Sequence, residues 1–219
     1  MSEWWTYSLS DLLLFSPQTY YRLFELYNKD IWPIQFLPLA LGAAIPVLVF
    51  RKPAWQGRAI TAILSASWIW VAWAYHLQRY ATINWAAPYS ATGFAGEAVL
   101  LIWTGIIRGR LVYEAATKLL NRTGLSVFVF ALVVHPLIGP MFGQKLVQAE
   151  LFGTAPDPTV IATLGILLLA ANRVFWELLI IPVIWCAISG AILWMMKSPG
   201  AFVAPFAALV IIIFAVRKP

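Results

Sequence analysis

Seven long apolar runs, separated by short polar loops, leave this chain few ways to fold. They fall near Ile31–Phe50, Arg58–Tyr80, Ser90–Ile107, Gly124–Met141, Pro158–Ala171, Val174–Met196 and Ala201–Val216. Roughly 20 apolar residues in a helix cross the hydrocarbon core of a bilayer. Lipid offers no partner to backbone N–H and C=O groups, so a spanning segment is a helix or part of a closed barrel. A barrel needs alternating polar and apolar residues. Ile166–Ala171 and Leu209–Val216 show no alternation. The expected fold is all-α: a polytopic transmembrane helical bundle of about seven spans. Of the 219 residues, seven spans use about 140, so no separate soluble catalytic domain fits. Composition agrees, with 62% hydrophobic and 11% charged residues. Soluble domains run nearer 45–50% and 25%, and a disordered chain is excluded outright.

Residues 1–30 form a separate amphipathic segment ahead of a single domain over residues 31–219. Ser10-Asp11 precedes the apolar Leu12–Phe15 like a helix cap. Pro17 opens a second helix, with Tyr20, Phe24 and Tyr27 at helical spacing among Arg22, Glu25 and Lys29. This pattern suits a helix lying in the headgroup layer. The N-terminus lacks a basic region and Leu12–Phe15 is short for a signal core, so no cleavable signal peptide is expected.

Net charge is +6, from 15 Lys and Arg against 9 Asp and Glu. In a membrane chain this points to basic cytoplasmic loops rather than nucleic acid. With seven spans, one face collects Arg51, Lys52, Arg58, Arg108, Arg110, Lys118, Arg122, Arg173, Arg217 and Lys218. The opposite face has only Arg22, Lys29, Arg79, Lys145 and Lys197. The more basic face is expected in the cytoplasm, which puts the N-terminus outside and the C-terminus inside, in a cell inner membrane. Glu3, Asp11, Glu25, Asp30, Glu150 and Asp157 then all lie outside, Asp157-Pro158 starting the fifth span. Spans five and six, divided only by Asn172-Arg173, suggest a tight helical hairpin. The expected partners are the lipid bilayer and other membrane chains, as an oligomer or a partner subunit.

Ionisable side chains inside the spans are the candidates for function, because burying them in lipid is costly. They are His76, Glu97, His135 and Glu177. At about 1.5 Å per residue, His76 lies roughly 6 Å, His135 roughly 9 Å and Glu97 roughly 10 Å below the outer end of its span. Three uses are open for that trio: a proton or cation pathway, a metal site for zinc or iron, or, for the two histidines, axial ligation of one haem. The plain alternative is that each histidine bonds a neighbouring carbonyl near the interface, while Glu97 pairs with one of them or with Arg79. Glu177 stands four residues after Arg173, the spacing of a helical salt bridge, with an inner gate as the functional alternative.

Several tryptophans (Trp4, Trp5, Trp32, Trp85 and Trp194) suit an aromatic belt. Trp68, Trp70, Trp73 and Trp103 fall deeper and are candidates for an aromatic-lined pocket, although such rings more often fill packing space. Pro136 and Pro140 follow His135, and Pro182 stands in span six; each is expected to kink its helix. The spacing Gly105…Gly109 and Gly139…Gly143 suits close helix contact. The single cysteine, Cys186, excludes an internal disulfide and reads as a packing residue. Span seven has no lysine for a retinal Schiff base, and no phosphate loop, HExxH or GxSxG is present. An enzyme therefore has little support. Small-solute or ion transport, proton-coupled through the trio, leads; a membrane-embedded subunit or a haem- or metal-binding protein is the alternative.

At Tyr20–Trp32 (YYRLFELYNKDIW), Ala131–Gly143 (ALVVHPLIGPMFG), Phe152–Leu169 (FGTAPDPTVIATLGILLL) and Ile181–Trp194 (IPVIWCAISGAILW), the chain resembles a family of uncharacterised bacterial multi-pass membrane proteins. In that family an outer loop carries a Gly-His pair and a Pro-Cys-Pro turn, where this chain has Gly143-Gln144 and Pro156-Asp157-Pro158. The family often has tyrosine where this chain has His135. The resemblance implies a polytopic membrane protein and brings no activity with it.

Overall fold

One helix, α7 (Pro156–Leu168), has no exposed residue along its whole length, being enclosed by other described segments of the chain. A helix that is apolar all round finds its place in a protein interior. At 13 residues it is about 20 Å long, short of the roughly 30 Å of a bilayer core. The computed structural model describes residues 15–114, 119–171 and 173–218. The described part is helical, with one isolated bridge between Tyr113 and Ala170.

The other helices are α1 (Pro17–Asp30), α2 (Phe36–Arg51), α3 (Gln56–Trp70), α4 (Ala87–Leu101), α5 (Leu119–Val129), α6 (His135–Met141), α8 (Ile180–Met195) and α9 (Val203–Val216). Among the described residues, four continuous helices are long and apolar enough to cross a membrane: Gln56–Thr82, Ala87–Ile107, Leu119–Met141 and Trp176–Met195. The three remaining apolar segments form the shorter helices α2, α7 and α9.

Three of the long helices contain a π-helical stretch: Val71–Leu77 after α3, Ile102–Ile107 after α4 and Phe130–Val134 between α5 and α6. Both histidines stand at such stretches, His76 within the first and His135 directly after the third. Pro136 explains the latter. It has no N–H to give the Leu132 carbonyl, and a wider turn absorbs the mismatch without ending the helix. Pro182 behaves differently from expectation. It stands in the first turn of α8, just after a 3-10 turn at Trp176–Leu178, where a missing N–H costs nothing, rather than in mid-span.

α7 packs against α3, α5, α8 and α9. Its closest approach is to α5. A Cβ on Gly124 would meet the Gly165 carbonyl oxygen at 2.6 Å, and one on Gly165 would meet the Gly124 oxygen at 2.6 Å. Two backbones in contact leave room only for glycine. This pair, on two different helices, is the close contact that the spacing motifs within single helices did not reveal. The Lys218 ammonium donates to the carbonyls of Leu168 and Ala170, placing positive charge at the carbonyl end of α7.

α8 packs back on α7, but the turn between spans five and six is not the tight one expected. α7 ends at Leu168, and the chain from Leu169 pairs with the segment after α4: Ala171 N–H donates to the Val112 carbonyl at 2.7 Å and Glu114 N–H to the Leu169 carbonyl at 3.1 Å. These backbone groups find partners across the chain instead of in a helical turn.

α1 begins as expected at Pro17, with the Ser16 hydroxyl accepting from Thr19 N–H at 3.2 Å. The earlier segment, with Ser10-Asp11, Trp4 and Trp5, lies outside the described residues. The apolar face of α1 is buried against protein. Tyr20 and Phe24 pack on Tyr75 and Tyr80, and Tyr27 stands edge-on to Tyr75. Trp32, Trp85 and Trp194 are exposed, as a belt requires, and Cys186 is fully buried.

A candidate cation site at one end of the bundle

Three elements bring ligating side chains to one point. His135 is the first residue of α6. Asp157 stands in the first turn of α7. Glu150 belongs to the loop between them, after a 3-10 turn at Leu146–Gln148. One ligand atom from each lies within 4.8 Å of the other two. Among the described residues no other three His, Cys, Asp or Glu side chains converge in this way. The three border a cavity of about 50 Å³, together with Tyr21, Gln144 and Ser198. A water molecule needs about 10–15 Å³ of such space, so a small ion with water fits.

Asp157 is 3% exposed. Its Oδ1 accepts from the Trp185 indole at 2.8 Å and its Oδ2 from the Ser189 hydroxyl at 2.6 Å. The positive end of α7 adds to this. Each oxygen keeps a further lone pair. The buried Nδ1 of His135 and Oε2 of Glu150 have no hydrogen-bond partner. Burial, and then the nearby Asp157 carboxylate, push the Glu150 carboxyl well above the usual carboxylate range. A buried unpaired acceptor and a strained carboxyl pair are what a bound cation would relieve.

The Glu150 loop is held by α1. Asn28 Nδ2 donates to the carbonyls of Val147 at 2.8 Å and Ala149 at 2.9 Å. The Tyr27 hydroxyl donates to the Thr154 carbonyl at 3.0 Å and accepts from the Trp70 indole at 2.8 Å. Tyr21 donates to Ser198 at 2.9 Å across the rim of the cavity. Gly153 turns the loop into α7 with φ at +77°, a conformation open to glycine, and its N–H donates to Thr159 at 2.9 Å.

His76, in the π-helical stretch after α3, and Glu97, on α4, are outside this group. Both are wholly enclosed, and none of their four side-chain nitrogen and oxygen atoms has a partner. The His76 ring lies 4.6 Å from Phe94 and 5.0 Å from Trp185. Glu97 follows Phe94 by three residues on α4, and so shares its side of the helix. Trp185 thus touches His76 with its ring and Asp157 with its N–H. The sequence trio His76, Glu97 and His135 is therefore split, with His135 grouped with Glu150 and Asp157 instead.

The other candidates stand apart. Glu177 is exposed and paired with Arg173. Trp68 is buried and donates to Thr163 at 2.9 Å; Trp70 donates to Tyr27; Trp73 stands exposed beside Trp70; Trp103 is exposed beneath Arg108. Each indole has its own surroundings.

Glu150 and Asp157 were read in the sequence as loop acids and a helix start. One signal marked Asp157: an acid in the first turn of a helix that is apolar all round must be buried with it. Nothing local marked Glu150. Two carboxylates and an imidazole suit zinc with an open fourth position, or iron or manganese with several. No curated protein and no solved structure matches the chain. A model of a family of unknown function, DUF6064, matches residues 17–218, and the chain belongs to that family.

Proposed function

We propose that this protein is a membrane-embedded cation-handling protein that binds a divalent cation through His135, Glu150 and Asp157 and moves it in exchange for protons. The convergence of those three side chains on one small cavity carries the reading. In this scheme α2, α7 and α9 complete a seven-helix membrane domain, with the cavity facing outward in a bacterial inner membrane. Cation entry displaces the proton held by Glu150, since metal ligands must be deprotonated. His76 and Glu97, enclosed and unpartnered, serve as proton-carrying groups further in.

A second reading has an observation of its own. Trp185, which donates to Asp157, packs on Phe94 and Phe94 on Trp68, with centroids at 5.1 Å and 4.4 Å, a run of aromatic rings behind the aspartate. A resident metal in a non-transporting subunit fits that backing.

Calorimetry on purified protein with Zn²⁺ and Mn²⁺, paired with metal influx into proteoliposomes, tests both. One bound ion per chain, lost in Glu150→Gln and Asp157→Asn, is expected. Influx lost in Glu97→Gln while binding persists supports exchange; binding without influx in the wild type supports the resident metal. Absence of stoichiometric binding refutes the cation site.

A further inference from the structure

Helices α5 and α9 both pack on α7 but touch each other little, leaving between them a groove of 650 Å³. This lies within the roughly 300–1,000 Å³ of small-molecule sites. Its walls are apolar, with Phe130, Phe206 and Val210 among them, and its polar side chains are Arg122, Thr123 and Ser126. These three fall on the first two turns of α5. Arg122 stands three residues after Leu119, the first described residue of the 23-residue helix Leu119–Met141, and basic side chains flanking a span meet the headgroup layer. From Leu119 to Phe130 the groove follows α5 for roughly 16 Å.

Charge therefore sits at one end and an apolar trough runs from it toward mid-bundle. The geometry points to a bound anionic phospholipid, one acyl chain in the groove and its phosphate on the Arg122 guanidinium, with the Thr123 and Ser126 hydroxyls beside it. Guanidinium matches phosphate in shape and charge, and its five N–H donors leave capacity beyond any internal bond. The Thr123 hydroxyl donates to the Leu119 carbonyl at 3.1 Å. A zwitterionic headgroup offers the same phosphate but sets a quaternary ammonium beside it, so it gains the trough with a weaker net attraction to Arg122. The inference rests on these helices crossing a membrane and is independent of the cation site.

Native mass spectrometry tests it, on the full chain in micelles holding equal phosphatidylglycerol and phosphatidylcholine with identical acyl chains. One retained phosphatidylglycerol per chain, favoured several-fold, is expected. Arg122→Gln lowers that preference about fivefold, the equivalent of roughly 1 kcal/mol per basic side chain near a headgroup. Arg122→Lys keeps most of it, and Val210→Trp, which fills the trough, loses both lipids. Asp157→Asn retains lipid like the wild type, so failure of the cation reading leaves this result standing. Equal retention of the two lipids, an unchanged Arg122→Gln, or a dimer that Val210→Trp dissociates would overturn it, the last because a second copy then occupies the groove. A chain soluble without detergent would overturn the membrane reading itself.

Discussion

Replacing Asp157 by asparagine should separate the charge of the site from its shape. The carboxylate accepts from Trp185 at 2.8 Å and from Ser189 at 2.6 Å. Asparagine keeps one acceptor, which suits the indole, and turns its NH₂ toward Ser189, whose hydroxyl can accept instead. Both bonds survive as neutral ones. Each gives up about 1 kcal/mol relative to a charge-assisted bond. Against that, a buried charge disappears and the crowding with Glu150 ends. The two effects nearly cancel, and Asp157→Asn should unfold within about 1 kcal/mol of the wild type. Asp157→Ala has no such exchange. It strands the indole N–H and the hydroxyl, at about 1–3 kcal/mol each, or roughly 2–6 kcal/mol in all. Outer-shell partners of metal ligands typically cost about 10–100-fold in affinity, so loss of a direct ligand should cost Asp157→Asn more than about 100-fold. Thermal unfolding in detergent and calorimetric titration with Zn²⁺ read the two quantities on one sample. If asparagine destabilises as much as alanine, the charge is structural. If it keeps near-wild-type affinity, Asp157 is not a ligand.

Three further outcomes follow from the same geometry. Glu150 holds its proton above the usual range, so cation binding should release protons and tighten as pH rises from about 4.5 upward; a flat affinity across that range would count against Glu150 as a ligand. Hydrogen bonding from Lys29, then ion pairing with Arg22, hold the carboxyl of Glu25 down at about 2, against desolvation that opposes them. Its folded value is depressed, so its contribution is complete above about 4.5 and lost as pH falls toward 2. Hydrogen exchange of α1 should accelerate in that window, and Glu25→Gln should remove the pH dependence. Gly165→Ala would place a methyl 2.6 Å from the Gly124 oxygen and 2.8 Å from the Phe128 nitrogen, both backbone. Such overpacking costs about 1–3 kcal/mol, and an unchanged melting temperature would show that α5 and α7 separate freely.

The helices were largely legible in the sequence. All seven apolar runs became helices, four of them of membrane length. The amphipathic pattern after Pro17 also became α1, and the periodicity of Tyr20, Phe24 and Tyr27 marked its buried face. What that face meets was not legible. A stripe of aromatic residues looks the same whether it faces lipid or protein, and here it packs on Tyr75 and Tyr80. The turn between spans five and six is longer than expected for a related reason. Hydropathy continues through Leu169–Ala171, but their backbone groups pair with Val112 and Glu114.

His135 was visible as a rare ionisable residue in an apolar run, and depth along its helix was calculable. Its neighbours were not. Depth is one coordinate, and the other two depend on which helices pack together and how each is rotated. Glu150 reaches His135 only because α1 holds its loop through Asn28, a contact spanning 121 residues at Ala149.

From the sequence alone came the material class: apolar runs of that length have to satisfy their own backbone and so become helices. Tertiary structure alone decided that the 13-residue α7 is the centre, that its first-turn aspartate is buried beside His135 and Glu150, and that His76 and Glu97 lie apart. The division is physical. Hydrogen bonding within a helix is local and written in consecutive residues, whereas the meeting of side chains depends on packing between segments far apart in the chain.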